Sequence, residues 1–365
     1  MNHYMAFVSG TATFGWASVV GWTGVDLFFV LSGYLIANQI FAGLARGATL
    51  SSGSFYARRA FRTLPVFWVV LLLYFLFPTL MGGKPPPPLW RFLTFTQNIG
   101  LQSGTAFSHA WSLCVEEQFY LILPLVLIIG ARLRFGRSQG WTLMSALLLI
   151  GVGSRVILWL DYGSGYREYY PHIYYSTLCR FDEFLPGIAV AMLKNVHRPV
   201  WERITRHGQG VLAIGAVATA ILLYFECRYR EIDGATIFTA AGYSLLAMAF
   251  AVLVTAALSP SSWLHRVRIP GAYHIAVWSY STYLSHKAVM IILGRLLQPF
   301  EVAPFVLAAV IAIASILVGA LLYRLIESPF MAMRDRRFPT SFAKDPGRRS
   351  LRTLPATVQA TSSEY

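Results

Sequence analysis

The sequence predicts an all-α fold, a polytopic bundle of transmembrane helices. Three observations predict it: 56% of the 365 residues are hydrophobic, only 13% are charged, and the mean hydropathy is positive. A soluble domain carries about 25% charged residues because its surface must face water. The formal charge of +14 would also fit a nucleic-acid binder. A nucleic-acid binder, however, combines its basic surface with the composition of an ordinary soluble protein, which this chain lacks. We therefore expect no nucleic-acid partner.

The candidate spans follow from the length of the continuous apolar stretches. A bilayer core about 30 Å thick needs roughly 20 apolar residues in a helix. Nine stretches reach this length, and a further apolar fragment at 1–8 is too short to cross. The nine predicted full spans are 21–43, 62–81, 111–130, 141–160, 174–193, 210–226, 236–257, 273–296 and 303–327.

The distribution of the cations predicts how the bundle is oriented in the lipid bilayer. Cytoplasmic loops of membrane proteins are enriched in Lys and Arg. If residues 44–61 are cytoplasmic and the spans alternate, the inner segments with their helix edges hold 20 cations and the outer segments hold 5. We therefore predict a multi-pass protein with a cytoplasmic C-terminus. The same alternation makes fragment 1–8 run outward, so we expect a truncated first helix within a ten-helix plan.

The domain organisation is predicted to be simple. No internal repeat divides the chain, so we expect one integral membrane domain over 1–333 and a basic, disordered cytoplasmic tail over 334–365. The cysteines, Cys114, Cys179 and Cys227, are too few and too far apart for a disulfide framework. The sequence contains no metal-binding motif, so we expect neither a metal nor a resident cofactor.

Ionisable side chains inside the predicted spans indicate a functional site, because a charge there costs several kcal/mol unless it is paired or hydrated. At a rise of 1.5 Å per residue, six of them lie roughly 7–12 Å below the outer surface. These six are His3, Asp26, Glu116, Arg155, Arg180 and Asp182. Either they line a hydrated reactive pocket, or the two arginines neutralise the three carboxylates in a buried network. His3 favours the pocket, because a histidine beside carboxylates can act as a general base.

A second candidate site lies at the inner end of the second predicted span. Arg59 and Arg62 are three residues apart and share one face of a helix. Two guanidinium groups suit phosphate oxygens, because each offers a planar fork of donors. The alternative is an orientation signal that also contacts lipid headgroups.

A series of specific stretches runs along the chain. The stretches are 24–36 (GVDLFFVLSGYLI), 55–65, 111–120 (WSLCVEEQFY), 180–187, 279–286 and 323–330, the first and third being the most specific. In their content and order, over about 330 residues, they resemble the membrane-bound acyltransferase-3 family of bacteria. Members of that family O-acylate O-antigens, exopolysaccharides, peptidoglycan, Nod factors or macrolides. The resemblance therefore implies a bacterial inner-membrane enzyme.

The resemblance also implies roles for individual residues. His3 matches the first-helix histidine proposed as the family's catalytic base, and Glu116 matches the glutamate that follows Trp-Ser-Leu. Arg59 and Arg62 match the cytoplasmic Arg-x-x-Arg pair that handles acyl-CoA. Asp26 completes the expected catalytic set. The expected supporting residues of the pocket are Arg155, Arg180, Asp182, Trp111, Tyr120 and His286.

The predicted activity is O-acylation by an acyltransferase that transfers groups other than amino-acyl groups. Acyl-CoA, with acetyl-CoA as the expected form, is the co-substrate and binds at Arg59 and Arg62 on the cytoplasmic face. His3, oriented by Asp26 or Glu116, removes a proton from a hydroxyl of a carbohydrate acceptor on or near the outer face. Arg155, Arg180 or backbone donors support the oxyanion. A route through an acylated His3 stays open.

Two alternatives to this activity remain at the level of the sequence. One is an exporter of a glycan or lipid that uses the buried charges as a proton relay. The other is an inactive remnant that lacks part of the first helix.

Overall fold

A computed structural model of the chain describes residues 2–81, 84–133, 136–163, 166–229 and 236–343. Within these ranges the secondary structure is helical, and the β-type pairing is one isolated bridge between Leu50 and Phe342. The predicted all-α class is confirmed. Residues 344–365 of the predicted tail, and two loop cations of the orientation argument, Arg134 and Arg230, lie outside the described residues.

We number eleven helices in chain order. They are α1 (Asn2–Tyr4, continued by a π turn Met5–Ser9), α2 (Trp16–Val20 and Gly24–Ala45, joined by a 3-10 turn Gly21–Thr23), α3 (Ser52–Leu76), α4 (Trp111–Arg132), α5 (Arg137–Tyr162), α6 (Leu185–Val196), α7 (Arg198–Arg206), α8 (Gly208–Tyr229), α9 (Thr236–Leu258), α10 (Ala272–Leu297) and α11 (Pro304–Leu322, continued by a π turn Tyr323–Glu327 and by Ser328–Arg337). Short helical pieces at Leu89–Leu93, Ser108–Ala110, Tyr166–Tyr169, Tyr170–Tyr174, Thr177–Arg180, Phe181–Phe184, Trp263–Arg266 and Gln298–Phe300 lie between them.

Seven helical stretches among the described residues are long and apolar enough to cross a membrane. They are Trp16–Ala45, Ser52–Leu76, Ser108–Gly130, Arg137–Tyr162, Gly208–Arg228, Ile237–Leu258 and Pro304–Arg337. Large apolar side chains on these stretches remain outside the core, and Leu160 and Ile237 are 72% and 76% exposed. Apolar surface on this scale is typical of a protein that contacts lipid rather than water.

The predicted count of nine full spans is not confirmed. The segment predicted at 174–193 is interrupted, because Thr177–Arg180 passes through the 3-10 turn Phe181–Phe184 before α6 begins. The charged side chains of that turn point inward and are fully buried. The segment predicted at 273–296 is one continuous helix, α10, but its Ser, Tyr, His and Lys residues make it too polar to count with the seven.

Helices α2 and α6 pack at very short range through two glycines. A Cβ atom on Gly33 would overlap the carbonyl oxygen of Phe184, and one on Gly187 would overlap the carbonyl oxygen of Val30. Small residues permit this approach between transmembrane helices, where close packing supplies much of the association energy. The contact presses the turn Phe181–Phe184 against α2.

The chain after α11 folds back over one end of the bundle. The amide of Ala343 donates to the carbonyl of Thr49 at 2.8 Å, and Nε2 of Gln39 donates to Oγ of Ser341 at 3.0 Å. Helix α11 itself continues to Arg337. The first part of the segment expected to be a disordered tail is therefore folded as far as residue 343.

We expect Gly187→Ala to destabilise the protein by about 1–3 kcal/mol or more, because α2 leaves no room for the added methyl group. Thermal unfolding of the purified protein in detergent measures the effect. The matched control is Gly210→Ala on α8, where nothing lies within 4 Å of the added Cβ atom. Its melting temperature should stay equal or rise slightly, because Ala favours a helix more than Gly does. Equal melting temperatures for the two variants would contradict the close approach of α2 and α6.

Candidate active site

One large cavity, of about 1010 Å³, runs through the bundle. Arg59 and Arg62 of α3 line one part of it, and His3, His109 and His286 line another. We call these the basic end and the histidine end. The cavity therefore joins a group of guanidinium side chains to a group of imidazole side chains.

The two ends lie far apart along the bundle. Arg59 and Tyr74 are fifteen residues apart on α3, which corresponds to about 22 Å along the helix axis. The ring of Tyr74 lies at the histidine end, where its centroid is 6.2 Å from that of His109. The cavity consequently extends over a large part of a bilayer core about 30 Å thick.

At the histidine end, His3 is held by another histidine. Nδ1 of His3 lies 2.7 Å from Nε2 of His286, and Nδ1 of His286 lies 2.6 Å from the carbonyl oxygen of Tyr283. A carbonyl oxygen can only accept, so in the neutral ring Nδ1 of His286 carries the proton and Nε2 accepts from His3. This series of hydrogen bonds places the proton of the neutral His3 ring on Nδ1. Nε2 of His3 is then the basic nitrogen, and His3 lines the cavity.

This arrangement corrects the expected pairing of His3 with Asp26 or Glu116. Oδ1 of Asp26 accepts from Nη2 of Arg180 at 2.6 Å, and Asp26 is fully buried outside the cavity lining. Oε1 of Glu116 accepts from the hydroxyl of Tyr120. Both carboxylates are engaged with other partners, and the imidazole of His286 takes the place expected for a carboxylate.

A third histidine at this end, His109, was not among the predicted site residues. Its ring centroid lies 6.3 Å from that of His3 and 5.1 Å from that of His286. It sits two residues before the specific stretch 111–120, so its position next to a motif was a usable signal. The part of the chain that the structure describes holds no group of His, Cys, Asp or Glu side chains arranged to bind a metal ion.

A lysine at the histidine end was likewise not predicted. Lys287 is 1% exposed, and its Nζ donates to Oγ of Ser108 at 3.0 Å and to the carbonyl oxygen of Thr105 at 3.2 Å. The same Nζ lies 4.5 Å from the ring centroid of Phe7, whose ring contacts that of His3. A cation therefore lies close to the imidazoles, on the wall of the cavity.

Between the two ends, Glu116 forms part of the cavity wall. Its Oε1 also accepts from Oγ of Ser32, at 2.7 Å. The guanidinium of Arg59 stacks on the ring of Tyr120, with Cζ 3.4 Å from the ring centroid. Through Tyr120, the predicted glutamate and Arg59 of the predicted arginine pair belong to one cluster rather than to two separate sites.

The basic end adjoins a smaller cavity of about 140 Å³. Its lining residues are Gln39, Phe55, Arg58, Arg59, Arg62, Arg334 and Ser341. Arg58 and Arg334 pair with the carboxylate of Asp335 at 3.2 and 2.8 Å, whereas Arg59 and Arg62 form no ion pair within the described residues. Guanidinium groups in excess over carboxylates suit a ligand that carries several negative charges.

Arg155 and Asp182 lie outside the cavity lining, in a buried network of the kind that the alternative interpretation predicts. Two N–H groups of Arg155 donate to the Asp182 carboxylate at 2.7 and 2.9 Å. The other three donate to the carbonyl oxygens of Ala240 and Cys179 and to Oγ of Ser244. All five donors of Arg155 are occupied, so none is left for an oxyanion.

Arg180 is engaged in the same part of the bundle. Its guanidinium pairs with Asp26 and Glu183, and its Cζ lies 4.0 Å from the ring centroid of Tyr243. Arg180 does not line the cavity. The expected role of Arg155 or Arg180 in supporting an oxyanion is therefore corrected. Of the other expected supporting residues, Trp111, Tyr120 and His286 do line the cavity.

Comparisons with known proteins agree on one chemistry. Residues 2–324 match the profile of a family described as an acyltransferase domain. The chain is 28% identical over 352 residues to YrhL of Bacillus subtilis, whose name describes a candidate peptidoglycan O-acetyltransferase, and the match covers 89% of this chain and 52% of YrhL. It is also 28% identical over 353 residues to the peptidoglycan O-acetyltransferase OatA of Listeria monocytogenes, with 89% of this chain and 53% of OatA covered.

A candidate O-acetyltransferase of Staphylococcus aureus is 25% identical over 333 residues, which cover 85% of this chain and 52% of that protein. The chain thus spans about half the length of these curated relatives. No solved structure matches the chain.

We expect Asp182→Asn to destabilise the protein by about 3–5 kcal/mol, because it leaves the buried Arg155 without its counter-charge. Thermal unfolding in detergent measures this loss. The control is Asp335→Asn, which removes an exposed carboxylate from its pairs with Arg58 and Arg334 and should cost about 0–1 kcal/mol. If the Asp182→Asn protein has normal stability but fails to transfer an acyl group, Asp182 takes part in the reaction itself.

Proposed function

The chain belongs to the acyltransferase-3 family, and on that premise we propose that it moves an acetyl group from cytoplasmic acetyl-CoA to a hydroxyl of a glycan outside the bacterial inner membrane. The observation that carries this proposal is the single cavity between the basic end and the histidine end. A donor whose phosphates stay at one end can present its thioester at the other.

The donor is proposed to bind through its phosphates at the basic end. Arg59 and Arg62 form no ion pair among the described residues, so their guanidinium groups can pair with phosphate oxygens. Nε of Arg59 is buried without a hydrogen-bond partner there, so it is available to a ligand. Cytoplasmic loops are the ones enriched in arginine, which supports a basic end on the side where acyl-CoA is made.

The slender pantetheine arm then follows the cavity toward the histidine end. The wall along this path mixes the apolar side chains of Phe28, Leu35 and Leu113 with the polar groups of Ser32 and Glu116. Such a lining suits an arm in which methylene groups alternate with amides. The thioester, at the end of the arm, reaches the imidazoles.

The proposed reaction uses Nε2 of His3 as the general base. Nε2 takes the proton of the acceptor hydroxyl while the hydroxyl oxygen attacks the thioester carbonyl. The resulting imidazolium keeps its Nδ1–H bond to His286, and the ammonium of Lys287 favours the negative charge that forms on the carbonyl oxygen. When the carbon–sulfur bond breaks, the proton passes from His3 to the departing thiolate of CoA. A route through an acylated His3 would use the same nitrogen as the nucleophile.

The acceptor is proposed to be peptidoglycan or a glycan of that type. Support comes from the names of two relatives, both of which specify peptidoglycan O-acetylation. Trp111, Tyr174 and Tyr175 also line the cavity, and aromatic faces pack well against the apolar C–H face of a sugar ring. The exporter considered from the sequence is not favoured, because it leaves the match to an acyltransferase domain over residues 2–324 unexplained.

We expect His3→Ala to abolish acetyl transfer without reducing the amount of protein in the membrane, because it removes the base but leaves the apolar spans that determine membrane insertion unchanged. Membranes are incubated with labelled acetyl-CoA, and alkali-labile label on the glycan is counted. The control is His172→Ala, which changes a histidine that stacks on Tyr162 and lies outside the cavity lining. Undiminished transfer by His3→Ala would remove His3 from the mechanism. Glycan export without consumption of acetyl-CoA would favour the exporter.

We expect Arg59→Ala and Arg62→Ala each to raise the KM for acetyl-CoA by about 10-fold, the usual cost of one lost hydrogen bond to a charged group. The KM of the wild type should also rise with salt more steeply than that of either variant. Arg46→Ala, which removes an exposed arginine just after α2, is the control and should leave this KM unchanged. Unaltered KM values for both variants would contradict a donor site at the basic end.

A further inference from the structure

The histidine end contains a buried acceptor atom that no group in the described protein satisfies. Nδ1 of His109 is buried and has no hydrogen-bond partner, and the whole residue is only 4% exposed. His109 nevertheless lines the cavity. A buried polar atom without a partner is unfavourable, so an unpaired atom on a cavity wall points to a ligand that pairs with it.

The protonation of His109 follows from its other nitrogen. Nε2 of His109 lies 3.1 Å from the carbonyl oxygen of Leu284, which can only accept, so Nε2 carries the proton of the neutral ring. Nδ1 is then a lone pair. The backbone is fixed as well, because the hydroxyl of Tyr283 donates to the carbonyl oxygen of His109 and bonds to Oγ of Ser112 at 2.6 Å.

Two successive carbonyl groups of α10 therefore determine which nitrogen carries the proton in two imidazole rings. The carbonyl of Tyr283 acts through His286 and leaves Nε2 of His3 as a lone pair, and the carbonyl of Leu284 leaves Nδ1 of His109 as another. The His3 and His109 rings are 6.3 Å apart at an angle of 74°. The single proton of one reacting hydroxyl can satisfy only one of these lone pairs.

We propose that His109 binds the acceptor: its Nδ1 takes a hydrogen bond from a second O–H or N–H group of the same carbohydrate whose reacting hydroxyl is held by His3. The proposal rests on the proposed function, and it adds a rule for substrate choice. An acceptor with a second donor pairs both lone pairs, whereas an acceptor without one leaves Nδ1 of His109 unpaired and is rejected.

A pair of substitutions separates this role from a purely structural one. His109→Asn places an amide oxygen near the position of Nδ1, and His109→Gln places an amide near the position of Nε2, where it can still donate to the carbonyl of Leu284. We expect His109→Asn to stay within a few-fold of the wild-type kcat/KM for the acceptor. His109→Gln should lose roughly 10-fold or more, with an unchanged KM for acetyl-CoA. If His109→Gln has the higher kcat/KM of the two variants, the role of His109 is to hold the start of α4 through the carbonyl of Leu284. That result would overturn the proposal.

Changing the acceptor provides a second test, whose deciding measurement is made on the wild type. The probes are the disaccharide unit of peptidoglycan and a set of its derivatives, each with one O–H or N–H group removed. In the wild type, one derivative that keeps the reacting hydroxyl should lose about 10-fold or more in kcat/KM, and His109→Gln should no longer discriminate against it. Equal kcat/KM values for all derivatives that keep the reacting hydroxyl would overturn the role of His109.

The result for His3 distinguishes a failure of this inference from a failure of the proposed function. If the wild type transfers acetyl groups to the disaccharide and His3→Ala does not, equal use of the derivatives contradicts only the role of His109. If the wild type transfers none, the proposed acceptor fails, and the inference fails with it.

Discussion

Two desolvated guanidinium groups determine how the centre of the bundle is built. Arg155 of α5 and Arg180 of the segment before α6 are fully buried, and each meets a buried carboxylate. Their partners come from α2, from the turn before α6 and, through Ser244 and Ala240, from α9. A buried charge that loses its partner costs far more than a surface pair is worth, so these elements are fixed relative to one another. The short turns around Arg180 follow from this requirement.

Because these two arginines pair with carboxylates outside the cavity lining, the cavity itself keeps a simple division of charge. At the basic end, Arg59 and Arg62 form no ion pair in the described structure. At the histidine end, one buried cation, Lys287, lies beside three imidazoles. The hydrogen-bond chain from His3 ends on a backbone carbonyl rather than on a carboxylate. A site of this kind favours negative charge that develops during a reaction, because no ion pair among the described residues joins these imidazoles to a carboxylate.

The sequence was a good guide to features that repeat along one helix and a poor guide to contacts between helices. Spans with continuous apolar runs were predictable, and so was the shared face of Arg59 and Arg62. The turn at Phe181–Phe184 was not, because hydropathy averaged over a segment does not register a break that buried ion pairs stabilise. The predicted depth of a residue in the membrane also did not identify its neighbours. His3 and Asp26 were expected in one layer, but which neighbour each of them faces depends on how the helices are rotated and packed.

The fold-back of the chain after α11 has a consequence for how the basic end can be altered. Ser341 and Arg334 line the smaller cavity beside Arg59, so a segment far from α3 in the sequence forms part of the wall next to the site proposed for the donor's phosphates. A change of charge in this segment would alter the electric field at that entrance. An acidic substitution there would weaken the attraction for a polyanionic ligand and a basic one would strengthen it, so the affinity of the basic end can be tuned without touching Arg59 or Arg62.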